Sequence, residues 1–542
     1  METLILSDDE KGVEKAGEIL RGGGLAAIPT ETVYGLAADA MNEAAVKSIY
    51  TAKGRPSDNP LIVHIAEAED IQPLVREIPD EALRLAQAFW PGPLTMILKK
   101  SDRVSKTVSG GLDTVALRFP KHSTAQAIIK AAGTPLAAPS ANTSGKPSPT
   151  TFKHVRDDLS GRVDAIICGS DCSVGVESTV LSLAGDVPRL LRPGAVTVAQ
   201  IEEVIGTVEV DDAVLNNLKN GEEVSSPGMK YKHYSPKADV VIVDASPEEY
   251  VKYVQEKGDG SALCFDEDMD RLSCPKVSYG TRYDGTVQAK RVFQALHKLD
   301  EMNVKRVYTH IPSKNGVGLA VYNRLIRSAG FQTVNPYGHY IIGLTGASGV
   351  GKSTVGIAFQ QLGCGYVDCD AVTKSKGVYD EQCIAELKEV FGHDIAENGV
   401  LNRRMLAQRA FSSKEGKDIL NKITHPRIMK HILRAVKSQL DAGYVLVVVD
   451  APTLFEAGLD EVCARIVAVT ASPEIQIPRI MERDGITKEE AVSRLKAQHP
   501  QEFYTQRADH IVNGAGGYDL LKRLSPIVNG LLKKCSNLSL DS

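Results

Sequence analysis

Three groups of residues in this chain could do chemistry, and all three suit phosphate binding or proton transfer. The sharpest is GASGVGKS at 346–353, which fits G-x-x-x-x-G-K-[ST]. An apolar run from Tyr340 to Leu344 precedes it, and a helical pattern follows from Thr354. The loop therefore joins a buried strand to a helix. Its glycines let backbone N–H groups turn inward around a phosphate, and the helix N-terminus adds a favourable dipole. Lys352 would reach the outer phosphates, and Ser353 would hold Mg²⁺. The second group is Asp368 and Asp370, which close the next apolar strand, GYVDCDAV. Strand carboxyl ends face the ligand crevice of a parallel α/β sheet, where a carboxylate can accept a proton from an attacking hydroxyl. Arg479, Arg483 and Arg494 lie on a helical hairpin over 477–498, placed to close over phosphates. The third group lies in the first half of the chain. Lys53 and Arg55 are two apart, as are Ser140 and Asn142. In an extended segment such a spacing projects both side chains to one face. With Ser178, Thr179 and Arg192 they make a polar anion site without a nucleophile triad. His64 has no metal-ligand spacing around it and is as readily structural as functional.

Alternating strand-like and helical patterns must position these groups, which predicts α/β architecture throughout. Strand-like runs include PLIVHIA, PLTMILKK, TVALRFP and STVLSLA before 205, then ADVVIVDA, SALCFD and KRVYTHIP after 237. The 542 residues exceed a single core. Four stretches follow: 1–205, a polar linker at 206–236 ending in SSPGMKYKHYSP, a small unit at 237–337, and 338–537 from the phosphate loop onward. Apolar content of 43% and charged content of 24% are ordinary for a globular protein. The net charge of -5 gives no general affinity for nucleic acid, so no stable direct nucleic-acid binding is expected. No apolar run is long enough to span a bilayer, and no secretory pattern opens the chain. Nine cysteines without paired zinc spacing fit a reducing cytosol, so a cytoplasmic location is expected.

The series after the loop resembles the dephospho-CoA kinases. It runs GYVDCDAV, FGHDI, LNKITHP, VVVDAPTLFEAGLD and then the arginine-bearing hairpin. Departures are small: Ala347 follows Gly346, Cys369 separates the aspartates, and Thr453 stands where leucine is usual. The resemblance implies a P-loop kinase fold with a parallel sheet and a helical lid. It also implies transfer of the ATP γ-phosphate to the ribose 3′-hydroxyl of dephospho-CoA. Asp368 would be the general base, and Lys352 and Arg483 would stabilise the moving phosphoryl group. Gly349, Val350, Gly351, Lys352, Ser353 and Thr354 would hold ATP, with Mg²⁺ on Ser353.

The first 337 residues resemble the long form of the L-threonylcarbamoyl-adenylate synthases. PTETVYGL, WPGPLT, ALRFP, GVEST and LRPG stand in family order with the K-x-R and S-x-N pairs and the PGMKYKHYSP linker. The resemblance implies a YrdC-like twisted mixed sheet followed by a small Rossmann-like domain. The implied reaction joins L-threonine, bicarbonate and ATP to give L-threonylcarbamoyl-AMP and pyrophosphate. Downstream proteins would pass the threonylcarbamoyl group to adenosine 37 of tRNA. Thr32, His64, Arg118 and Ser178 would surround threonine. Lys53, Arg55, Asn59, Thr114, Ser140, Asn142, Ser148 and Arg192 would hold ATP, Lys53 and Arg55 as catalytic cations. Tyr231, Lys232, His233 and Tyr234 of the linker would close over the mouth and exclude water from labile intermediates. An alternative makes one half a non-catalytic RNA- or nucleotide-binding module.

Overall fold

The computed structural model describes residues 2–215, 234–375, 377–397, 399–515 and 519–536. They form two compact units. One comprises Met1–Val243 with Val254–Val334, the other Asp244–Tyr253 with Asn335–Ser542.

The first unit holds an eleven-stranded mixed sheet and a separate five-stranded sheet. At the centre of the large sheet, Ile62–His64 runs parallel to Thr114–Arg118, with His64 opposite Arg118. Leu94–Lys99 lies antiparallel on the far side of Thr114–Arg118. Thr179–Ser182 then runs parallel to Leu94–Lys99, and Arg189–Arg192 returns antiparallel with Arg192 opposite Val180. This alternation brings His64, Arg118, Ser178 and Arg192 to one edge of the sheet although they are far apart in sequence. The apolar runs supply the reason for the strands. Val63, Leu117, Met96 and Leu181 are fully buried in one core beneath that edge. The small sheet is wholly parallel, in the order Lys276–Ser278, Ser261–Cys264, Arg306–His310, Asp239–Val243, Thr333–Val334. The helices Gly285–Glu301 and Gly318–Ser328 pack with it around Phe293, Leu296 and Leu325.

The second unit carries a parallel sheet in the order Gly365–Asp368, Leu446–Asp450, Tyr340–Thr345, Arg465–Thr470, His510–Asn513. Asp368 stands opposite Asp450 at its carboxyl edge. The expected hairpin is present as two helices, Pro473–Asp484 and Lys488–Lys496, with Gly485 capping the first. Asp244 also belongs to this unit. It is 2% exposed and accepts hydrogen bonds from the Arg465 guanidinium and from Lys534 Nζ at 2.5 Å. Burial pushes the Asp244 carboxyl up, but Arg465 and Lys534 outweigh it and hold the group well below the usual carboxylate range. Such a group stabilises the fold above its unfolded pKa of about 4, and the contribution is lost as pH falls below that value. Asp244→Ala should therefore destabilise the second unit by about 3–5 kcal/mol, because Arg465 is left buried without a carboxylate. Denaturant titrations at neutral pH and near pH 3 check both parts: the gap between wild type and variant should narrow in acid.

Candidate functional sites

At the gathered edge of the large sheet lies a cavity. Thr32, Arg55, His64, Arg118, Ser140, Ser178, Arg192 and Tyr234 all line it, together with Glu177. The K-x-R pair is not an extended segment. Lys53 is the last residue of the helix Glu43–Lys53, which Gly54 closes at φ +61°, so the chain turns between the two cations. Arg55 reaches the cavity, whereas Lys53 is buried behind it. The Lys53 ammonium donates to the backbone carbonyls of Ser140 and Asn142, fixing the S-x-N loop from below. Within that loop Ser140 Oγ donates to Asn142 Oδ1 at 2.5 Å. Asn59 is buried beside the wall, its carbonyl accepting from Tyr50 Oη at 3.1 Å. Thr114 opens its strand opposite Lys99, at the end remote from Arg118, and the cavity does not include it. Tyr231, Lys232 and His233 lie outside the described residues; Tyr234 is on the wall.

Burial drives the His64 imidazole down to about 3, with Arg118 adding to the effect, so the ring is neutral. Its Nδ1 lies 3.3 Å from the Ile62 carbonyl. A carbonyl can only accept, so Nδ1 carries the proton and Nε2 is left as an acceptor. Two acids temper the surrounding guanidinium groups. Glu31 pairs with Arg118 at 2.8 Å, and Glu177 accepts from the Ser148 hydroxyl and from Arg324. Burial pushes both carboxyls up, but the neighbouring arginines prevail and hold them ionised. Arg192 donates to the Ser178 carbonyl at 3.0 Å and to its hydroxyl at 3.1 Å. Glu31 and Glu177 were not among the residues predicted for the site. Their signal was a lone acid inside each small-residue segment, PTET and GVEST.

The second site surrounds the loop 346–351. The helix begins at Lys352, two residues earlier than its pattern suggests. Gly351 has φ +95°, and a Cβ there would lie 2.8 Å from the Gly514 carbonyl oxygen. Lys352 Nζ donates to the Gly346 carbonyl at 3.2 Å. From the hairpin, Arg483 donates to Ser348 Oγ at 3.0 Å and Arg479 to the Gly349 carbonyl at 3.3 Å. Arg494 is instead held by Asp484 at 2.5 Å. Asp368 caps the helix Cys369–Lys374 through the Ala371 amide at 3.0 Å. Asp370 lines a neighbouring cavity with His425, Pro452 and Thr453. Asp450, absent from the predicted set, accepts from Tyr366 Oη at 2.7 Å, while its Oδ1 is buried without a hydrogen-bond partner among the described residues. Burial raises the Asp450 carboxyl. The Tyr366 ring lies so close to the phosphate-loop helix that a Cβ on Gly356 would stand 2.6 Å from it.

The chain matches three sequence families in succession. Residues 18–194 match the Sua5, YciO and YrdC family, described as telomere recombination. Residues 196–330 match the threonylcarbamoyl-AMP synthase C-terminal domain, and 340–519 match dephospho-CoA kinase. The threonylcarbamoyl-AMP synthase of Bacillus subtilis is 46% identical over 335 residues, covering 61% of this chain and 96% of the relative. The dephospho-CoA kinase of Corynebacterium diphtheriae is 36% identical over 186 residues, covering 34% of this chain and 93% of the relative. The chain belongs to both families. It is a threonylcarbamoyl-AMP synthase fused to a dephospho-CoA kinase, and both halves are ATP-using enzymes. Pyrococcus abyssi Sua5, solved in complex with L-threonine, is 40% identical to the synthase half, with a TM-score of 0.58 and coverage of 62% of this chain and 100% of that one. Among the described residues no helix is long and apolar enough to cross a membrane. Gly351→Ala should weaken ATP binding by the kinase roughly tenfold or more, since a side chain is strained at this φ and meets backbone. Pyrophosphate release by the synthase, followed in the same preparation, should not change.

Proposed function

We propose that the first site condenses L-threonine, bicarbonate and ATP, with Thr32, His64, Arg118 and Ser178 around threonine and its carboxylated amine. The carrying observation is that all four line one cavity with Arg55, Ser140 and Arg192. The threonine complex of the P. abyssi relative supports this reading. His64 Nε2 would accept from the substrate nitrogen or hydroxyl. The threonine nitrogen joins the bicarbonate carbon with loss of water; an oxygen of the resulting carbamate attacks the α-phosphorus of ATP, the bond to the bridging oxygen breaks, pyrophosphate leaves, and a mixed anhydride forms. Arg55 and Arg192 would meet charge developing on the phosphates, and no side chain becomes a covalent nucleophile. Ser140, Asn142, Ser148 and Asn59 would complete the ATP wall, with Lys53 holding the S-x-N loop in shape. Tyr234 would sit at the mouth. The product would go to proteins that modify adenosine 37 of tRNA. Arg55→Ala should abolish threonine-dependent pyrophosphate release and leave dephospho-CoA phosphorylation intact; full synthase activity in that variant would refute the assignment.

The second site would transfer the γ-phosphoryl group of ATP to the 3′-hydroxyl of dephospho-CoA. Backbone amides of 349–354 with Lys352 grip the outer phosphates, and Arg483 closes from the hairpin. Mg²⁺ would arrive with ATP, and the residues fit it: Ser353 stands at the helix start, and the unpartnered Asp450 oxygen suits a hard cation. Bound there, the ion would neutralise charge on the outer phosphates. Asp368 would take the hydroxyl proton. Asp370 is the second candidate because it lines a cavity with His425 and Thr453 and its charge acts on Lys352 of the loop. Asp368→Asn should slow turnover by about 10²–10⁴-fold with ATP affinity retained. If Asp370→Asn shows that loss and Asp368→Asn does not, the role passes to Asp370.

A further inference from the structure

We propose that Arg324, in the C-terminal domain of the synthase, is a positioning residue for the ATP wall of the catalytic domain, acting through Glu177. Arg324 lies on the helix Gly318–Ser328 and is fully buried. A guanidinium withdrawn from water must find acceptors, and this one finds them on two catalytic segments. Nε donates to Glu177 Oε2 at 2.9 Å and Nη2 to the Glu177 carbonyl at 3.4 Å. Nη1 donates to the Pro193 carbonyl at 2.8 Å and to Asn323 Oδ1 at 3.1 Å. Glu177 immediately precedes Ser178, and Pro193 immediately follows Arg192; both of those neighbours line the cavity. One side chain therefore ties GVEST to LRPG at the residues beside the substrate.

Charge, more than span, carries the effect on ATP. Glu177 is 6% exposed and ionised, and both Arg324 and Arg192 act on it. With Arg324 present, one carboxylate oxygen goes to Arg324 and the other to the Ser148 hydroxyl. Arg192 is then free to donate to Ser178 and to face the cavity. Without Arg324 the cations among the described residues that still act on the buried carboxylate are Arg192 and Lys53, and pairing with Arg192 would withdraw that guanidinium from ATP. The same domain also supports the Ser148 side of the wall. His297 Nε2 lies 3.3 Å from the Ser148 carbonyl, and its ring stacks on His154 with centroids 3.8 Å apart.

The test uses the full chain and compares kinetics of threonine-dependent pyrophosphate release. Arg324→Met should raise the ATP KM on the order of 10- to 100-fold, with kinase turnover unchanged as an internal control of protein concentration and the synthase melting transition as the control of folding. Adding Glu177→Gln should recover most of that loss, because no unpaired carboxylate remains to draw Arg192 away. An ATP KM within about twofold of wild type in Arg324→Met, or a loss that Glu177→Gln does not relieve, overturns the proposal. A purely structural role would lower the melting temperature and kcat together and would show no such rescue. If Arg324→Met alone does not fold, the neutral pair decides by itself. An ATP KM within about threefold of wild type upholds the proposal, and a rise above about tenfold overturns it.

Discussion

A cation taken out of water has to be answered by oxygen, and in the synthase that requirement organises the whole site. Lys53 is answered by two carbonyls of the S-x-N loop, Arg118 by Glu31, and Arg324 by Glu177 and Pro193. Each pairing fixes a loop as well as a charge. The cavity keeps an excess of positive groups, and among the described residues Lys53, Arg118, Arg192 and Arg324 each donate to at least one oxygen. The strands make this possible by ending at a common edge. The choice of residue at each end decides what that edge can bind.

The kinase half meets the same ligand group by other means. Its donors would be mainly backbone amides, presented by a loop whose Gly351 takes a φ that favours glycine. Side chains arrive from the hairpin as Arg479 and Arg483, already resting on the loop they would help to close. Guanidinium groups set in a rigid sheet edge and amides set in a turn are two solutions to holding a polyphosphate. They differ in where precision is stored: in ion pairs between distant segments for the synthase, in local backbone geometry for the kinase.

That difference explains what could be read from the sequence. The phosphate loop is contiguous, so its strand, turn and helix were all legible, as were the strands of PLIVHIA and TVALRFP. The arginine hairpin was legible because helical spacing and charge coincide there. Less was legible where a role depends on pairing across the fold. The K-x-R spacing suggested one shared face, but Gly54 ends a helix between the two cations and sends Lys53 behind the wall. Thr114 shares a strand with Arg118, yet sits at the opposite sheet edge. Glu31, Glu177 and Asp450 were passed over because an acid in an anion site makes sense only once its partner is known. No local pattern connects Arg324 to GVEST.

Gly356 deserves a place beside these charged groups. In the middle of a helix it costs roughly 1 kcal/mol relative to alanine, so a survey of helix propensity would select it first for replacement. The bare backbone there is what lets the Tyr366 ring lie against the helix, and Tyr366 is the group that holds one oxygen of Asp450 while the other has no hydrogen-bond partner among the described residues. The helix gives up intrinsic stability so that an aromatic ring can aim a carboxylate. Helix stability and the aim of a buried carboxylate are set against each other at a position that carries no side chain of its own.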